Sequence, residues 1–350
     1  MDTMETRAYA VPTPGAPLVP HTINRREVGP FDVAIDIKFA GICHSDIHQG
    51  LEEWGEAIFP MVPGHEIAGV IVAVGSEVTK FKVGDHAGIG CFVDSCGECE
   101  NCNIGEEQYC LNGGNTPTYN GLERDGVTPT YGGYSTYIVC KERYVLHIPK
   151  NLPLDAAAPL LCAGITLYNP LRKWLVGPGV KVGVMGLGGL GHMGVKLAVA
   201  MGADVTMISH SKSKEEDAMS LGAHHFLYSG DDGQMKAARN SFDVVVNAVS
   251  ADIDVVPYLN LLGLDGVMAL VGAPPKPMAI PAFTLFDQRR TLSGSMIGGI
   301  PQTQEMLDFC GAHDIVSEIE TIAVDQVNEA WKRVVASDVR YRFVIDTASL

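Results

Sequence analysis

The sequence has little positive charge and no long uninterrupted apolar run. Lys and Arg together number 25 against 41 Asp and Glu, which gives a net charge of −16. A surface this acidic repels phosphate backbones and anionic lipid, which argues against nucleic-acid and membrane-surface binding. The nearest approach to a membrane span, residues 180–203, is rich in glycine and interrupted by Lys and His. An anionic ligand would need a local binding site that overcomes the negative potential of this surface.

The first ten residues lack a basic start followed by an apolar run, so we expect no secretory signal and a cytoplasmic protein. In a reducing compartment, nine cysteines indicate metal binding or catalysis rather than a disulfide framework. Hydrophobic residues are plentiful, at 46% against 19% charged, which is enough for a sizeable core. A length of 350 residues suggests two or three domains.

The hydrophobic pattern changes near residue 152. Before this point short β-like runs alternate with turns, which predicts strands over 33–39, 67–74, 86–91 and 134–139. After it, predicted strands over 181–185, 204–209, 243–247 and 267–271 alternate with predicted helices over 155–174, 190–201 and 214–221. The last stretch predicts a helix over 301–310, a short strand, a helix over 325–335 and a terminal strand over 341–346. The predicted class is therefore α/β, with a β-rich domain and a parallel sheet covered on both faces.

Four cysteines fall close together in the pattern C-x2-C-x2-C-x7-C, at Cys96, Cys99, Cys102 and Cys110. Four thiolates at this spacing can surround one Zn²⁺ and leave no open position, so the ion would fold a lobe, at about 91–111, without catalysing a reaction. An iron–sulfur cluster is the alternative. In ferredoxin-type runs, however, the fourth cysteine usually follows after three residues and precedes proline, whereas here Leu111 follows it.

A second set of metal-ligand residues is scattered along the chain: Cys43 in G-I-C-H-S-D, His65 and Glu66 in P-G-H-E, and Cys162 in L-L-C-A-G-I-T. Two cysteines and a histidine form one known ligand set for a catalytic zinc that keeps a position open. Glu66 is predicted to be an exchangeable fourth ligand. Taken singly, each residue is equally consistent with core packing, a turn or a salt bridge. Only their occurrence together, with the cysteine cluster and the glycine motif below, favours a metal.

A catalytic zinc lowers the pKa of a bound hydroxyl, so the released proton needs a path to water. Ser45 lies two residues from Cys43 and is predicted to pass this proton, with His48 as the outer end of the relay. Asp46 is predicted to accept the ring N–H of His65 and so to fix its tautomer.

A strand, a glycine-rich turn and a helix follow one another at G-x-G-x-x-G, formed by Gly186, Leu187, Gly188, Gly189, Leu190 and Gly191. This context predicts a dinucleotide pyrophosphate at the helix N-terminus. The next strand ends without the Asp or Glu that NAD-preferring proteins carry there. Hydroxyls and cations stand in its place, at Ser209, His210, Ser211, Lys212 and Lys214. They suit a 2′-phosphate, which favours NADP(H); the alternative is a solvated loop that does not discriminate.

These motifs, in this order, resemble the zinc-dependent medium-chain alcohol dehydrogenases, and most closely their cinnamyl alcohol dehydrogenase branch, which includes NADP-dependent aldehyde reductases. The segments that carry the resemblance are 41–46, 63–66, 96–110, 160–166 and 186–191. The resemblance implies a GroES-like catalytic domain over 1–152, a Rossmann NADP-binding domain over 153–298, and a return segment over 299–350 that completes the first domain. It also implies a homodimer.

The resemblance further implies two Zn²⁺ per chain, with Cys43, His65 and Cys162 at the catalytic ion. It implies cofactor contacts at Thr166, Gly272 and Ser295, and a substrate pocket that includes Trp54 and Met296. Segment 111–131 aligns poorly with the plant enzymes, so an expected pocket aromatic has no assigned position there. The implied reaction is hydride transfer between NADP(H) and a primary alcohol/aldehyde pair. The alternatives are a same-fold enzyme acting on a polyol, a conjugated C=C or an iminium bond, or a cofactor-binding relative without activity.

Overall fold

A computed structural model describes residues 4–350 and divides the chain into two compact units. The first unit runs to Ile165 and resumes at Gly298, and the second unit is Thr166–Ile297. The units therefore do not separate at residue 152, where the sequence pattern changes. Segment 153–165 packs on the sheet of the first unit, and a Cβ added at Gly88 would lie 2.8 Å from Leu161. The catalytic and cofactor-binding roles of the predicted domains stay a prediction.

The described part of the chain has seventeen strands, numbered in chain order: β1 Met4–Ala10, β2 Val19–Arg25, β3 Asp32–Gly41, β4 Ile67–Val74, β5 His86–Ile89, β6 Phe92–Asp94, β7 Thr116–Pro117, β8 Tyr137–Lys141, β9 Leu146–His147, β10 Lys181–Met185, β11 Asp204–Ser209, β12 His225–Tyr228, β13 Phe242–Asn247, β14 Leu262–Leu270, β15 Thr291–Gly294, β16 Ile319–Ala323 and β17 Arg342–Asp346. The α-helices are α1 His44–Gly50, α2 Glu100–Asn103, α3 Leu154–Ala157, α4 Ala163–Lys173, α5 Gly191–Ala200, α6 Glu215–Ser220, α7 Asp232–Ala237, α8 Val256–Leu259, α9 Ala282–Phe286, α10 Ile300–Ala312 and α11 Val327–Val335. No helix among residues 4–350 has the length and apolar character needed to cross a membrane.

The first unit is built on a seven-stranded sheet in the order β16-β17-β3-β4-β5-β9, with β8 also paired to β3. Most pairs are antiparallel, and only β16 and β17 run parallel. Strand β3 is buried over most of its length because it is paired along both edges. Since β17 pairs with the end of β3, residues near the C-terminus lie beside residues near 40.

The second unit contains a six-stranded parallel sheet in the order β12-β11-β10-β13-β14-β15. This is the strand order of the dinucleotide-binding doubly wound fold, whose direction of winding reverses between β10 and β13. These two strands are almost entirely buried, as expected when helices cover both faces. The predicted α/β class, with a β-rich unit and a doubly wound unit, is confirmed.

The helix predicted over 155–174 is interrupted in the structure. Helix α3 gives way to a 3-10 turn at Ala158–Leu161, and α4 begins only at Ala163. Pro159 lies in this turn, where a continuing α-helix would need the backbone N–H that proline lacks. Cys162 lies between the 3-10 turn and α4 with φ −126° and ψ −66°, which are not α-helical values. Its side chain therefore does not point in the direction that a continuous helix would impose. The strand predicted over 134–139 is shifted to β8, and the short strand predicted between 310 and 325 is β16. Seven of the strands named above were not predicted: β1, β2, β6, β7, β9, β12 and β15.

Candidate metal centres and cofactor-binding loop

The first unit brings Cys43, His65, Glu66 and Cys162 together, although 119 positions separate the two cysteines. One ligand atom from each residue lies within 4.8 Å of each of the others, and all four residues are buried. The two Sγ atoms are 3.9 Å apart. The Cys162 thiol and, to a smaller extent, the nearby His65 hold the pKa of Cys43 well below its usual value.

Three breaks in regular structure present these side chains. Cys43 is the N-cap of α1, His65 and Glu66 immediately precede β4, and Cys162 fills the gap before α4. Gly64 sets the direction of the second segment, because it has φ +103° and a Cβ there would lie 2.7 Å from the ring of Tyr134. Only glycine fits both conditions.

The donor set fits a zinc ion. His65 Nε2 and Glu66 Oε2 are buried and have no hydrogen-bond partner among residues 4–350. A buried polar atom left without a partner costs about 1–3 kcal/mol, so such atoms usually face a ligand or an ion. Two cysteine sulfurs and an imidazole nitrogen form a set that Zn²⁺ prefers, and a neighbouring carboxylate can complete it.

Asp46 joins the two segments that carry Cys43 and His65. Its carboxylate is fully buried and accepts from the backbone N–H groups of Cys43 at 2.9 Å and Gly64 at 3.2 Å. One oxygen lies 3.6 Å from Nδ1 of His65, beside the ring as predicted but longer than a hydrogen bond. Burial raises the pKa of Asp46, and the nearby His65 opposes this shift.

Glu66 has a partner that sequence reasoning missed. Its Oε1 accepts from Nη2 of Arg342 in β17, and both side chains are buried. Burial raises the pKa of Glu66 to about 7, and the Arg342 charge opposes that shift. The carboxylate also needs Gly41, because a Cβ there would lie 1.9 Å from Oε2. No local motif signals this pair, since 276 positions separate its members.

The predicted proton relay is only partly assembled. Ser45 Oγ lies 3.4 Å from Cys43 Sγ, so the hydroxyl borders the metal centre. The His48 ring stacks at 4.7 Å between those of His44 and Trp54, and its Nδ1 pairs with Glu53. In the part of the chain that the structure describes, no hydrogen bond links Ser45 to His48, so their relay stays a prediction.

Segment 111–131, which sequence comparison left unassigned, supplies one aromatic ring to the centre. Tyr119 is buried and stacks on His65, with ring centroids 5.7 Å apart and planes within 6°. No periodicity or motif marks this tyrosine. Its placement follows from the path of the loop between the cysteine cluster and β8.

The second candidate centre gathers Cys96, Cys99, Cys102 and Cys110, with all four sulfurs within 4.8 Å of one another. Backbone N–H groups point inward and stabilise thiolates: Leu111 N–H donates to Cys99 at 3.4 Å, which lowers the pKa of Cys99 to about 6. Burial instead raises the pKa of Cys102 to about 11. Four sulfurs with N–H donors around them fit a closed tetrahedral Zn²⁺.

In the second unit, the three motif glycines are required for different reasons. Gly186 has φ +90°, and a Cβ on Gly191 would lie 1.8 Å from the Gly186 carbonyl oxygen, so these two permit the tight turn into α5. Gly188 has no atom within 4 Å of its would-be Cβ and faces open space. An open backbone at a helix N-terminus is the surface that a pyrophosphate can approach.

The loop after β11 keeps its hydroxyls and cations near this turn. Ser209 is buried, and its Oγ accepts from the Ser211 N–H at 3.1 Å. Lys214 Nζ donates to the carbonyl of Leu187 at 2.6 Å, which ties the lysine to the glycine loop. His210 and Lys212 are exposed.

The remaining predicted residues lie in ordinary surroundings. A Cβ on Gly272 would lie 2.4 Å from the Val249 carbonyl oxygen, and the Ser295 N–H bonds to the Leu270 carbonyl. Thr166 is buried. The two predicted pocket residues, Trp54 and Met296, are 53% and 49% exposed. The contacts just described for these residues do not indicate a bound cofactor or substrate, so their roles stay predictions.

Two segments of the chain match known protein families. Residues 29–150 match the alcohol dehydrogenase GroES-like domain and residues 189–312 match the zinc-binding dehydrogenase domain. The chain belongs to the zinc-binding alcohol dehydrogenases, and it is an enzyme of the oxidoreductase class.

Two relatives and one solved structure show how far the similarity extends. The chain is 62% identical over 343 residues to NADP-dependent alcohol dehydrogenase C 1 of Mycolicibacterium smegmatis, covering 98% of each chain. It is 52% identical over 350 residues to aldehyde reductase YahK of Escherichia coli, covering 99% of each. Cinnamyl alcohol dehydrogenase SbCAD4 of Sorghum bicolor has the same fold, with a TM-score of 0.95 and 45% identity over 99% of this chain and 98% of that one. The predicted resemblance to this family and branch is confirmed.

Proposed function

We propose that the protein interconverts primary alcohols and aldehydes by hydride transfer with NADP(H), and that aldehyde reduction is its cellular direction. The observation that carries the proposal is the buried set of Cys43, His65, Glu66 and Cys162, with two polar atoms that lack partners. A relative 62% identical is named as an NADP-dependent alcohol dehydrogenase, and another as an aldehyde reductase. Both names support the same substrate class.

Cys43, His65 and Cys162 would hold the catalytic zinc, with Glu66 as an exchangeable ligand. Zinc in such a site supplies a Lewis acid that polarises an alcohol or carbonyl oxygen. Asp46 holds the backbone N–H groups of two ligand segments and keeps the ring of His65 in place. Ser45 and His48 would move the proton between substrate and water. A second zinc, held by the cysteine cluster, would fold its lobe.

For the cofactor, the N-terminus of α5 would face the pyrophosphate, and the open backbone at Gly188 would allow it to approach. Ser209, Ser211 and Lys214 supply hydroxyls and a cation to a 2′-phosphate, with His210 and Lys212 beside them. Thr166, Gly272 and Ser295 are proposed as further cofactor contacts, and Trp54 and Met296 as substrate contacts.

We also propose a homodimer formed through the second unit. Strand β15 is the edge of the parallel sheet and leaves its outer hydrogen-bonding groups for a partner strand. In α9, the helix that precedes β15 in the chain, Phe283 and Phe286 are 81% and 68% exposed, which is unusual for side chains of this size. We expect the double variant Phe283→Ser, Phe286→Ser to elute as a monomer in size-exclusion chromatography with light scattering.

The experiment that tests the proposed reaction combines metal analysis with kinetics. We expect two zinc ions per chain in the native protein and one in Cys43→Ser, which should lose aldehyde reduction with NADPH but still bind NADPH. Cys140→Ser is the matched control, because Cys140 is also buried but its thiol donates to the Val93 carbonyl and lies outside both candidate metal centres. Normal turnover in Cys43→Ser would refute zinc catalysis.

A substrate panel followed at the NADPH absorbance separates the remaining alternatives. Short aliphatic, long aliphatic and aromatic aldehydes should be reduced. Turnover confined to polyols, conjugated double bonds or iminium compounds would assign the enzyme to another reaction of this fold. NADPH binding with no turnover of any of them would indicate a relative without activity.

A further inference from the structure

Tyr134 is fully buried and contacts both segments that Asp46 joins. Its hydroxyl donates to Asp46 Oδ2 at 3.2 Å. Its ring fills the space beside Gly64, the residue before His65, and its backbone N–H donates to the Pro63 carbonyl at 3.0 Å. The tyrosine therefore holds the backbone that presents His65 and the carboxylate that lies beside its ring.

The Tyr134 hydroxyl has a further partner at the other end of the chain. It accepts from Nε1 of Trp331 in α11 at 3.4 Å, across 197 positions. A series of hydrogen bonds thus runs from α11 through Trp331 and Tyr134 to Asp46, and from Asp46 to the backbone of Cys43. Each bond lies in the first unit.

Core packing alone does not explain the hydroxyl of Tyr134. Phenylalanine has nearly the same shape, and it would fill the space beside Gly64 without burying a polar atom. The carboxylate of Asp46, in contrast, is fully buried and needs donors. Oδ1 accepts from the Gly64 N–H, and Oδ2 accepts from both the Cys43 N–H and the Tyr134 hydroxyl, so this hydroxyl holds the oxygen that also binds the Cys43 backbone.

We propose that Tyr134 is a positioning residue of the metal centre: its hydroxyl fixes Asp46, and Asp46 fixes Cys43 and His65 around the ion. The proposal rests on the proposed function, because it assumes the zinc at Cys43, His65 and Cys162. Tyr134 acts through Asp46, to which its hydroxyl donates. Partners that orient metal ligands typically change metal affinity by about 10–100-fold when they are removed.

The test is the rate at which Tyr134→Phe transfers zinc to excess dipicolinate, followed with a chromogenic zinc indicator. The native protein should release its two ions in two phases, and the phase missing from Cys43→Ser belongs to this centre. We expect Tyr134→Phe to speed that phase by about 10–100-fold and to leave the cysteine-cluster phase unchanged. With Co²⁺ in place of zinc, the thiolate-to-cobalt absorption bands should also shift.

Tyr144→Phe is the matched control, because Tyr144 is equally buried and its hydroxyl bonds to Ser95, beside the cysteine cluster. It should leave release from the Cys43 centre at the native rate. Trp331→Phe removes the N–H donor to the Tyr134 hydroxyl, together with part of the indole ring that packs beside Gly50. It should give a smaller increase, so it tests the same series of bonds if Tyr134→Phe does not fold.

Three outcomes are distinguishable. Faster release in Tyr134→Phe or Trp331→Phe, with a shifted cobalt spectrum and an unchanged cluster phase, supports the proposal. Native release rates and native spectra in the variants that fold would overturn it. A native protein that binds only one zinc per chain would instead overturn the proposed function, because the metal that Tyr134 is said to position would be missing.

Discussion

Two glycines of the cofactor loop should respond to the same substitution in opposite ways. A Cβ on Gly188 meets no atom within 4 Å, whereas a Cβ on Gly191 would lie 1.8 Å from the Gly186 carbonyl oxygen. Gly188→Ala should therefore fold normally but bind NADPH weakly. Gly191→Ala should damage the loop itself. The pair separates a glycine needed for binding from one needed for the turn.

The magnitudes follow from these distances. A carbon–oxygen contact normally measures about 3.4 Å, so the loop in Gly191→Ala must move by about 1.5 Å. Overpacking of this kind costs about 1–3 kcal/mol, and each kcal/mol lowers Tm by about 2–4 °C in a domain of about 150–250 residues. Gly188→Ala should change stability by less than about 0.5 kcal/mol. The added methyl would stand where the pyrophosphate approaches, and we expect the Kd for NADPH to rise at least about 10-fold, or about 1.4 kcal/mol.

Thermal melts without cofactor and titrations of NADPH fluorescence measure both effects on the same samples. The expected result is a normal Tm with weak binding for Gly188→Ala, and a lowered Tm with weak binding for Gly191→Ala. Native affinity in Gly188→Ala would show that the pyrophosphate does not approach this backbone, and the proposed cofactor site would then be wrong.

Three further predictions concern single charged or polar side chains. Ser209→Asp places a carboxylate where we propose the 2′-phosphate, so kcat/KM should shift toward NADH by at least about 10-fold; an unchanged ratio would contradict our assignment of the loop. Arg342→Met leaves Glu66 buried without its cation and should cost about 3–5 kcal/mol in urea unfolding, of which Glu66→Gln in the same chain should restore a part. Arg25→Met removes a buried guanidinium that donates to three backbone carbonyls, and should cost at least about 3 kcal/mol, whereas the more exposed Arg26→Met should cost under about 1 kcal/mol.

The parts of the site that were predictable from sequence are those whose contacts are local. The cysteine cluster lies within one short segment, and the glycine turn follows directly from the order of strand, loop and helix. Cys43, His65 and Cys162 were harder, because each has an ordinary alternative explanation and only their combination indicated a metal. The structure brings them together, as the family resemblance implied.

The partners of these residues could not be predicted, for a physical reason. Arg342 pairs with Glu66 across 276 positions, Tyr134 with Asp46 across 88, and Trp331 with Tyr134 across 197. The local pattern predicts the strand or helix that carries each residue, but not its distant partner. The break in the helix at Cys162 was not predicted either. The alanine-rich sequence around it favours a continuous helix, whereas in the structure the turn that contains Pro159 interrupts it. Tertiary contacts decide the structure at each of these positions.

The positions of these residues along the chain affect how each metal site forms during translation. The four sulfurs of the cluster leave the ribosome in one stretch and can enclose an ion while later segments are still being made. The proposed ligands of the other site have all been made by residue 162, yet the cation beside Glu66 is residue 342 and the last donor in the tyrosine series is residue 331. Since chains fold from the N-terminus as they emerge, the surroundings of this second candidate site are complete only when synthesis is almost finished.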